Sequence, residues 1–247
     1  MRAPVPIAVA LAALALVRCA SKLSPSYVDL VSADHPVSYW RFDERGPAQS
    51  AHDEVGHVDA SLRGGVTLGA AGALAGDPDP AFAFDGSTGL VVGPDVYTFD
   101  GTRPFTVEVW IAPDAGGLPV QRICNHRFGS PHTGWRMILD ETKHVVFDRW
   151  SGDVQLGAVV AAIPVGVYSH VVGRYDGAAL SIYVDGELRQ SAPDAHPIAP
   201  FSAPLVWAAA STGVIDFFSG RLDEAAIYDF ALAPDRIARH YAAGAGK

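Results

Sequence analysis

Two Asp-Gly pairs, Asp176-Gly177 and Asp185-Gly186, constrain this chain more than any other feature. Gly accepts positive φ at no steric cost and Asp tolerates it, so each pair favours a tight turn. Strand-like runs at 168–175 and 180–184 precede them. In the second run Leu180, Ile182 and Val184 face one way while Ser181, Tyr183 and Asp185 face the other, the period of a half-buried strand. A hairpin with one apolar face is not stable alone in water, so the remaining chain has to supply an opposing sheet.

It is patterned to do so. Phe105, Val107, Val109 and Ile111 alternate with Thr106, Glu108 and Trp110, and Pro113 and Gly116-Gly117 end that run. Further strands are expected at 27–31, 37–42, 134–139, 144–150, 204–210, 214–218 and 222–228. Asp34-His35-Pro36 separates the first two, because a residue before Pro avoids the helical region, and the polar residues 140–143 turn between 134–139 and 144–150. One helix is expected, at 234–241, where Pro234 has no N–H to lose in the first turn and Ile237 and Tyr241 share a face; 242–247 follow as a tail. With 247 residues, 49% of them hydrophobic, the chain can bury a sizeable core as one domain.

The N-terminus is of another kind. Arg2 precedes an apolar run at 5–17, the length of a signal-peptide core and too short for a membrane span of ~20 residues. Residues 1–18 are read as an export signal, 19–26 as a tether and 27–243 as the folded domain. Leu16-Val17-Arg18-Cys19 resembles the bacterial lipobox, whose Cys is lipidated and becomes the first mature residue; Leu16 fits, while Arg18 stands where that pattern has a small residue. Lipidation of Cys19 is the favoured reading, a plain secretory signal the other. A lipidated Cys19 leaves Cys124 without a partner, so the domain is expected to hold together with no disulfide. The net charge of −9, with no Lys/Arg cluster, excludes a nucleic-acid footprint and works against docking on anionic headgroups, so contact with a membrane is expected through an N-terminal lipid alone.

A family resemblance runs through the mature chain in order. Its pieces are the run at 27–44 that ends Tyr39-Trp40-Arg41-Phe42-Asp43-Glu44, then Asp53-Glu54-Val55-Gly56, the Gly-rich stretches at 64–69 and 72–76, and Ala83-Phe84-Asp85-Gly86. Further on come the 105–111 strand, Gly134-Trp135, the Asp-Gly hairpin and the stretch at 220–232 around Asp223-Glu224. The set is similar to the LamG-like, concanavalin A-like jelly-roll domains. That resemblance implies an all-β fold, a jelly-roll sandwich of two antiparallel sheets with a short C-terminal helix.

Jelly rolls of this kind also carry glycoside hydrolases, whose acid and nucleophile must flank one bond and stand on one strand as E-x-D-x-x-E. No such run exists: Glu108 is alone in its strand, and Asp140 and Glu141 diverge in a turn. There is no G-x-S-x-G, H-E-x-x-H or phosphate loop. Cys124, His126 and His132 match no zinc spacing. Cys124 reads as a small buried apolar residue and His170 as a hydrogen-bonding group that fixes the sheet.

Carboxylates make a better case for a metal. Asp43-Glu44 closes the first family motif and Asp223 lies in the last strand, and the resemblance implies that these strands adjoin. A structural calcium, which takes about six to eight oxygens, is then held by Asp43, Glu44, Asp223 and backbone carbonyls. In the other reading Asp43 and Asp223 cap turns or pair with Arg41 and Arg221. For a ligand, flat rings stack on sugar faces while polar groups orient them. Trp135 and Trp150 are the candidates, with Arg122, His126 and Arg149 beside them in sequence; Trp110 is read as core. The expected function is a non-catalytic, exported recognition module that binds a carbohydrate or a protein partner at the cell surface. The alternatives are a structural or adhesion protein of the envelope and, less favoured, a glycoside hydrolase-like enzyme.

Overall fold

In a computed structural model, which describes residues 24–210 and 215–247, two antiparallel sheets of eight strands each pack face to face. The expected export signal, Cys19 and the start of the tether lie outside the described residues. In chain order the elements begin with α1 (Tyr27–Ala33), β1 (Ser38–Trp40), β2 (Ser50–Ala51), β3 (Ala60–Arg63), β4 (Val66–Ala71), β5 (Pro80–Asp85) and β6 (Leu90–Val92). The long strands follow: β7 (Phe105–Pro113), β8 (Gln121–Gly129), β9 (His132–Leu139), β10 (His144–Ser151), β11 (Val154–Ala162), β12 (Ser169–Tyr175) and β13 (Ala179–Val184). Then come β14 (Glu187–Pro193), β15 (Leu205–Trp207), β16 (Ser219–Tyr228) and α2 (Pro234–Gly244). The first sheet runs β14-β13-β12-β7-β16-β5-β4 with β1 also beside β16, and the second runs β11-β10-β9-β8-β15-β6-β3-β2.

Both Asp-Gly turns are present. Tyr175 pairs with Leu180 across the first and Val184 with Glu187 across the second, where Asp185 (φ 55°) and Gly186 (φ 77°) are left-handed. Leu180, Ile182 and Val184 join Phe105, Val107, Val109 and Ile111 in the core between the sheets, opposite Trp135, Met137, Leu139, Val145 and Phe147. Side chains of this size contribute about 1.5–3 kcal/mol each when fully buried, so the core needs no covalent staple. Cys124 is a free thiol buried within it, and burial pushes its ionisation well up.

The outer face of the first sheet is also closed. Trp110, Val172, Tyr183, Ala226 and Tyr228 on that face are covered by Tyr27 and Val31 of α1 and Ile237 of α2. Glu108 and His170 lie beneath the same helices, fully buried and 2.7 Å apart, so His170 does fix the sheet as its sequence setting indicated.

Two expectations need correction, and two long strands, β8 and β11, were not expected. Residues 27–31 are helical rather than extended, because the Ser26 hydroxyl accepts from the Asp29 N–H (3.1 Å) while the Asp29 carboxylate accepts from the Ser26 N–H (3.0 Å). That reciprocal cap satisfies donors a strand would have to pair elsewhere, and it places Tyr27 and Val31 on one buried face. Of 214–218, the described residues 215–218 form no strand. Conversely β8 and β11 carry no apolar alternation: β8 is polar at Arg122, Asn125, His126 and Arg127, and β11 is rich in Gly and Ala. Ser26→Ala is expected to lower stability by about 1 kcal/mol, read as a lower urea midpoint at unchanged m value.

Candidate functional site

Residues paired across a sheet share a face, and on the second sheet each of three outward rows carries an arginine. One row is Asn125, Arg136 and Asp148; the next is Arg127, Gly134 and Trp150. A third holds Arg122, Ile138 and Val146, brought to the same side by a register shift between Arg122 and Cys124. Gly134 has no side chain, so Arg127 and Trp150 meet across it: the Arg127 guanidinium lies 5.6 Å from the Trp150 ring centre and that of Arg136 5.3 Å. Arg136 Nε donates to both Asp148 oxygens at 2.9 and 3.0 Å, Gln155 donates to Asp148 at 3.1 Å, and Arg122 Nε donates to Asp216 at 3.0 Å. Burial, then the charges of Arg122 and Arg136, push Arg127 down to about 10; burial and the charge of Arg136 also lower Arg122. Beyond these rows, at the strand tips, Phe128, Thr133, Ser151, Pro200 and Phe201 line a mostly apolar cleft of ≈ 480 Å³, and Phe128 is 47% exposed.

Of the five residues singled out for a ligand, Arg122 and Trp150 share this face and three do not. Trp135 points inward, fully buried and stacked on Phe105 with ring centres 5.3 Å apart, so its ring offers no face to a sugar. His126 is buried against Phe201 and Phe99, and burial pushes it down to about 4. Arg149 is the inward neighbour of Trp150: it is buried under the Tyr175 ring (3.6 Å), paired with Asp194 (2.5 Å) and bonded to the Gly101 carbonyl (3.0 Å). The residues that sequence reasoning missed are Arg127, Arg136 and Asp148. The expected four-residue turn at 140–143 would pair Leu139 with His144 and so Arg136 with Phe147; in the structure Leu139 pairs with Val145, which places Arg136 opposite Asp148 and Gly134 opposite Trp150.

A second constellation sits where the first and last strands meet. β5 pairs with residues 219–222 of β16 and β1 with residues 225–227, so a gap opens between them. There β16 shifts register between Asp223 and Ala226, with Glu224 at φ 53°, and both carboxylates turn into the gap. Asp79, just before β5, joins them, with ligand oxygens of all three within 4.8 Å of one another. Arg41, just after β1, reaches Asp79 (2.6 Å) and Glu224 (3.2 Å), and the Tyr39 hydroxyl donates to Glu224. One oxygen each of Asp79 and Asp223 is buried without a partner. Burial, reinforced by the neighbouring acids, pushes Asp79 up to about 6 and Asp223 and Glu224 well above their ordinary range. Asp43 and Glu44 do not join this group. Asp43 pairs with Arg41 at 3.6 Å, and Glu44 accepts from the His52 N–H at 2.5 Å, because the chain turns at Phe42 (φ 58°) and Arg41 takes the place at the junction.

The sequence profile described as the concanavalin A-like lectin/glucanases superfamily, of laminin G type, matches residues 84–238. Among solved structures the fold is similar to the botulinum neurotoxin serotype D binding domain, at 14% identity and a TM-score of 0.64, covering 86% of this chain and 52% of that one. It is similar also to the binding domain of Paraclostridial Mosquitocidal Protein 1 (14%, TM-score 0.63, 84% and 52%). A third is the binding domain of botulinum neurotoxin DC in complex with SialylT (13%, TM-score 0.62, 84% and 51%). These identities make the likeness one of fold, and the chain spans about half the length of those structures. No curated protein sequence matches it.

Proposed function

Because this chain belongs to the concanavalin A-like lectin/glucanases superfamily, we propose that it is a non-catalytic recognition module. It is exported, lipid-anchored at Cys19 or secreted, and binds a carbohydrate or a protein partner on the outer face of its second sheet. The observation that carries this reading is the asymmetry of the two outer faces. The first is covered by α1 and α2, whereas on the second a half-buried Trp150 lies against buried Arg127 and half-buried Arg136, beside an apolar cleft. Flat rings with fixed polar neighbours are what a sugar-binding surface requires. The two carboxylates on that face, Asp148 and Asp216, are tied to Arg136 and Arg122, which leaves no acid and nucleophile pair for glycosidic cleavage there. Among the described residues no helix is long and apolar enough to cross a membrane.

The test is a glycan array probed with the mature domain and its Trp150→Ala variant. Binding that drops in the variant supports the carbohydrate reading, and a blank array for both rejects it in favour of a protein partner, to be sought by cross-linking.

We further propose that Asp79, Asp223 and Glu224 hold a structural calcium ion. The unpartnered buried oxygens and the surplus of negative charge fit a hard cation, and the cleft lined by Asp77, Asp79 and Gly72 gives an entry path. The ion would join β5, β16 and the chain after β1 without taking part in binding at the other sheet.

A further inference from the structure

We propose that one loop end of the sandwich binds an extended basic segment of a partner protein, whose apolar side chains fill three clefts in a row. The first cleft, of ≈ 480 Å³, is lined by Val37, Val58, Val96, Phe99, Arg103 and Pro104. The second, of ≈ 600 Å³, shares Arg103 and Pro104 with it and adds Ile198 and Pro200. The third is the apolar cleft at Phe128, and Pro200 belongs to it as well. Shared walls make the three one groove, larger than the ~1,000 Å³ upper range of a small-molecule site and suited to a chain that extends ~3.3 Å per residue. No residue of the three outward rows of the second sheet lines it, so this site is independent of the one on that face. The groove is held ready by bonds behind it. Gly101 and Ile198 exchange backbone bonds at 2.7 and 2.9 Å, joining the two loops that wall the second cleft. Beneath them Arg149, fully buried and paired with Asp194, donates to the carbonyls of Gly101 (3.0 Å) and His196 (3.3 Å). Loops fixed in this way lose little freedom when a partner docks.

Charge and wall chemistry name the occupant. The charged side chains lining the groove are Arg103, Asp100 and Asp229. Arg103 pairs with Asp100 at 3.3 Å, while the exposed Asp229 carboxylate has no ion pair or hydrogen bond among the described residues. Asp95, beside Val96, accepts from the Ser202 hydroxyl and the Ala203 N–H, and its neighbour His126, 4.0 Å away, is kept neutral by burial, which pushes it down to about 4. Two negative charges are left over, which a basic partner complements. The walls are Val, Ile and Pro side chains, with Val96 59% exposed, and they take aliphatic groups. A saccharide fits them poorly. The Tyr97 and Phe99 rings stack on each other with centres 5.8 Å apart and are buried, so neither offers an open face to a sugar, and the Tyr97 hydroxyl is committed to Ser38 at 2.8 Å.

The experiment is selection on the mature protein from a phage-displayed library of random peptides of about ten residues, ~33 Å when extended, followed by fluorescence anisotropy with the most enriched peptide. Enriched sequences are expected to carry Lys or Arg together with Leu, Ile, Val or Phe at alternate positions, and to bind at least about tenfold more weakly in about 0.5 M salt. Asp229→Lys and Val96→Lys are each expected to weaken the peptide about tenfold; both side chains are exposed, so the fold tolerates the change. Trp150→Ala, outside the groove, should leave peptide affinity as it is. A library that yields no enriched peptide, or acidic and uncharged ones, overturns the proposal. So does a peptide weakened by Trp150→Ala and untouched by Asp229→Lys, since it binds the second sheet instead. Binding on a glycan array that Val96→Lys abolishes and Trp150→Ala does not would give the groove to a saccharide and overturn the protein partner. The reading of the outer face is judged by Trp150→Ala on that array, so either proposal can fail while the other stands.

Discussion

Glu108→Ala is expected to destabilise the domain by about 3–5 kcal/mol, the range for removing one partner from a buried ion pair, seen as a lower urea midpoint. Glu108 is fully buried on the outward side of β7. One oxygen accepts from Tyr27 (3.0 Å), His170 Nε2 (2.7 Å) and His240 Nδ1 (3.0 Å), and the other from Tyr228 (2.9 Å) and His240 Nδ1 (3.1 Å). His240 Nε2 lies 3.0 Å from Asp34, which also accepts from Arg236 at 2.7 Å. One carboxylate thus ties α1, α2, β12 and β16 to a single point on β7. Its loss leaves two hydroxyls and two imidazoles buried around a hole, a desolvation cost that no neighbour offsets. Glu108→Gln keeps the volume and is expected to lose less. In both variants hydrogen exchange should accelerate first in residues 27–33 and 234–244, since those helices are held through Tyr27 and His240. Uniform acceleration across both sheets would count against a helix clasp.

The same site predicts the pH profile. Burial alone would raise the Glu108 carboxyl, but the charge of His240 and the hydrogen bonds from His170 and His240 outweigh it and hold the group well below the ordinary carboxylate range. Burial alone would lower His240, yet the charge and hydrogen bond of Glu108, with Asp34 beyond, raise it. A depressed carboxylate stabilises the fold above its unfolded value of 4.5 and loses that contribution as pH falls through the folded value. A raised histidine stabilises below its unfolded value of 6.5 and loses its contribution as pH rises through the folded one. The stability difference between the natural protein and Glu108→Gln should therefore be largest at about pH 5.5 and smaller near pH 3 and pH 8.5. A difference that is flat over that range would contradict the coupling of the two groups.

Much of this was legible because strand alternation is a local signal. Phe105 to Ile111 and Leu180 to Val184 declare their buried faces residue by residue, and the Asp-Gly pairs fix the turns. Helix α1 was not legible, because Tyr27, Val28 and Val31 favour a strand while the contrary instruction rests on two polar residues, Ser26 and Asp29. The ligand face was half legible. Parity within β10 separates Trp150 from Arg149, but the register shift in β8 puts Arg122 and Arg127 on one side although their numbers differ in parity. An acidic cluster lies where the first and last strands meet, and of the three residues expected to hold an ion there Asp223 is in it while Asp43 and Glu44 are not. Asp79 comes instead from the Asp77-Pro78-Asp79-Pro80 loop, and no local pattern ties that loop to a strand end about 145 residues away.

Saturating calcium is expected to raise the melting temperature of chelator-treated protein by roughly 5–10 °C. An excess of about 100-fold over the dissociation constant is worth about 2.7 kcal/mol, and a domain of this size shifts by about 2–4 °C per kcal/mol. In the absence of an ion, Asp79 and Glu224 share Arg41, which is divided further with Asp43 and Asp77, while Asp223, its ligand oxygen within 4.8 Å of both, forms no ion pair among the described residues. Repulsion among them is carried by the folded state alone, since the unfolded chain separates them. Asp223→Asn tests the sign of that argument. An amide oxygen can still accept from the Ala73 N–H, which reaches Asp223 at 2.7 Å, so the hydrogen bond survives while one buried charge disappears. The variant should melt higher than the natural protein in chelator and gain little from calcium. Asp43→Asn, outside the group, should leave the calcium response intact. Should calcium leave the melting temperature unchanged and Asp223→Asn prove no more stable in chelator, Arg41 is counter-charge enough and the gap between β1 and β5 holds no ion.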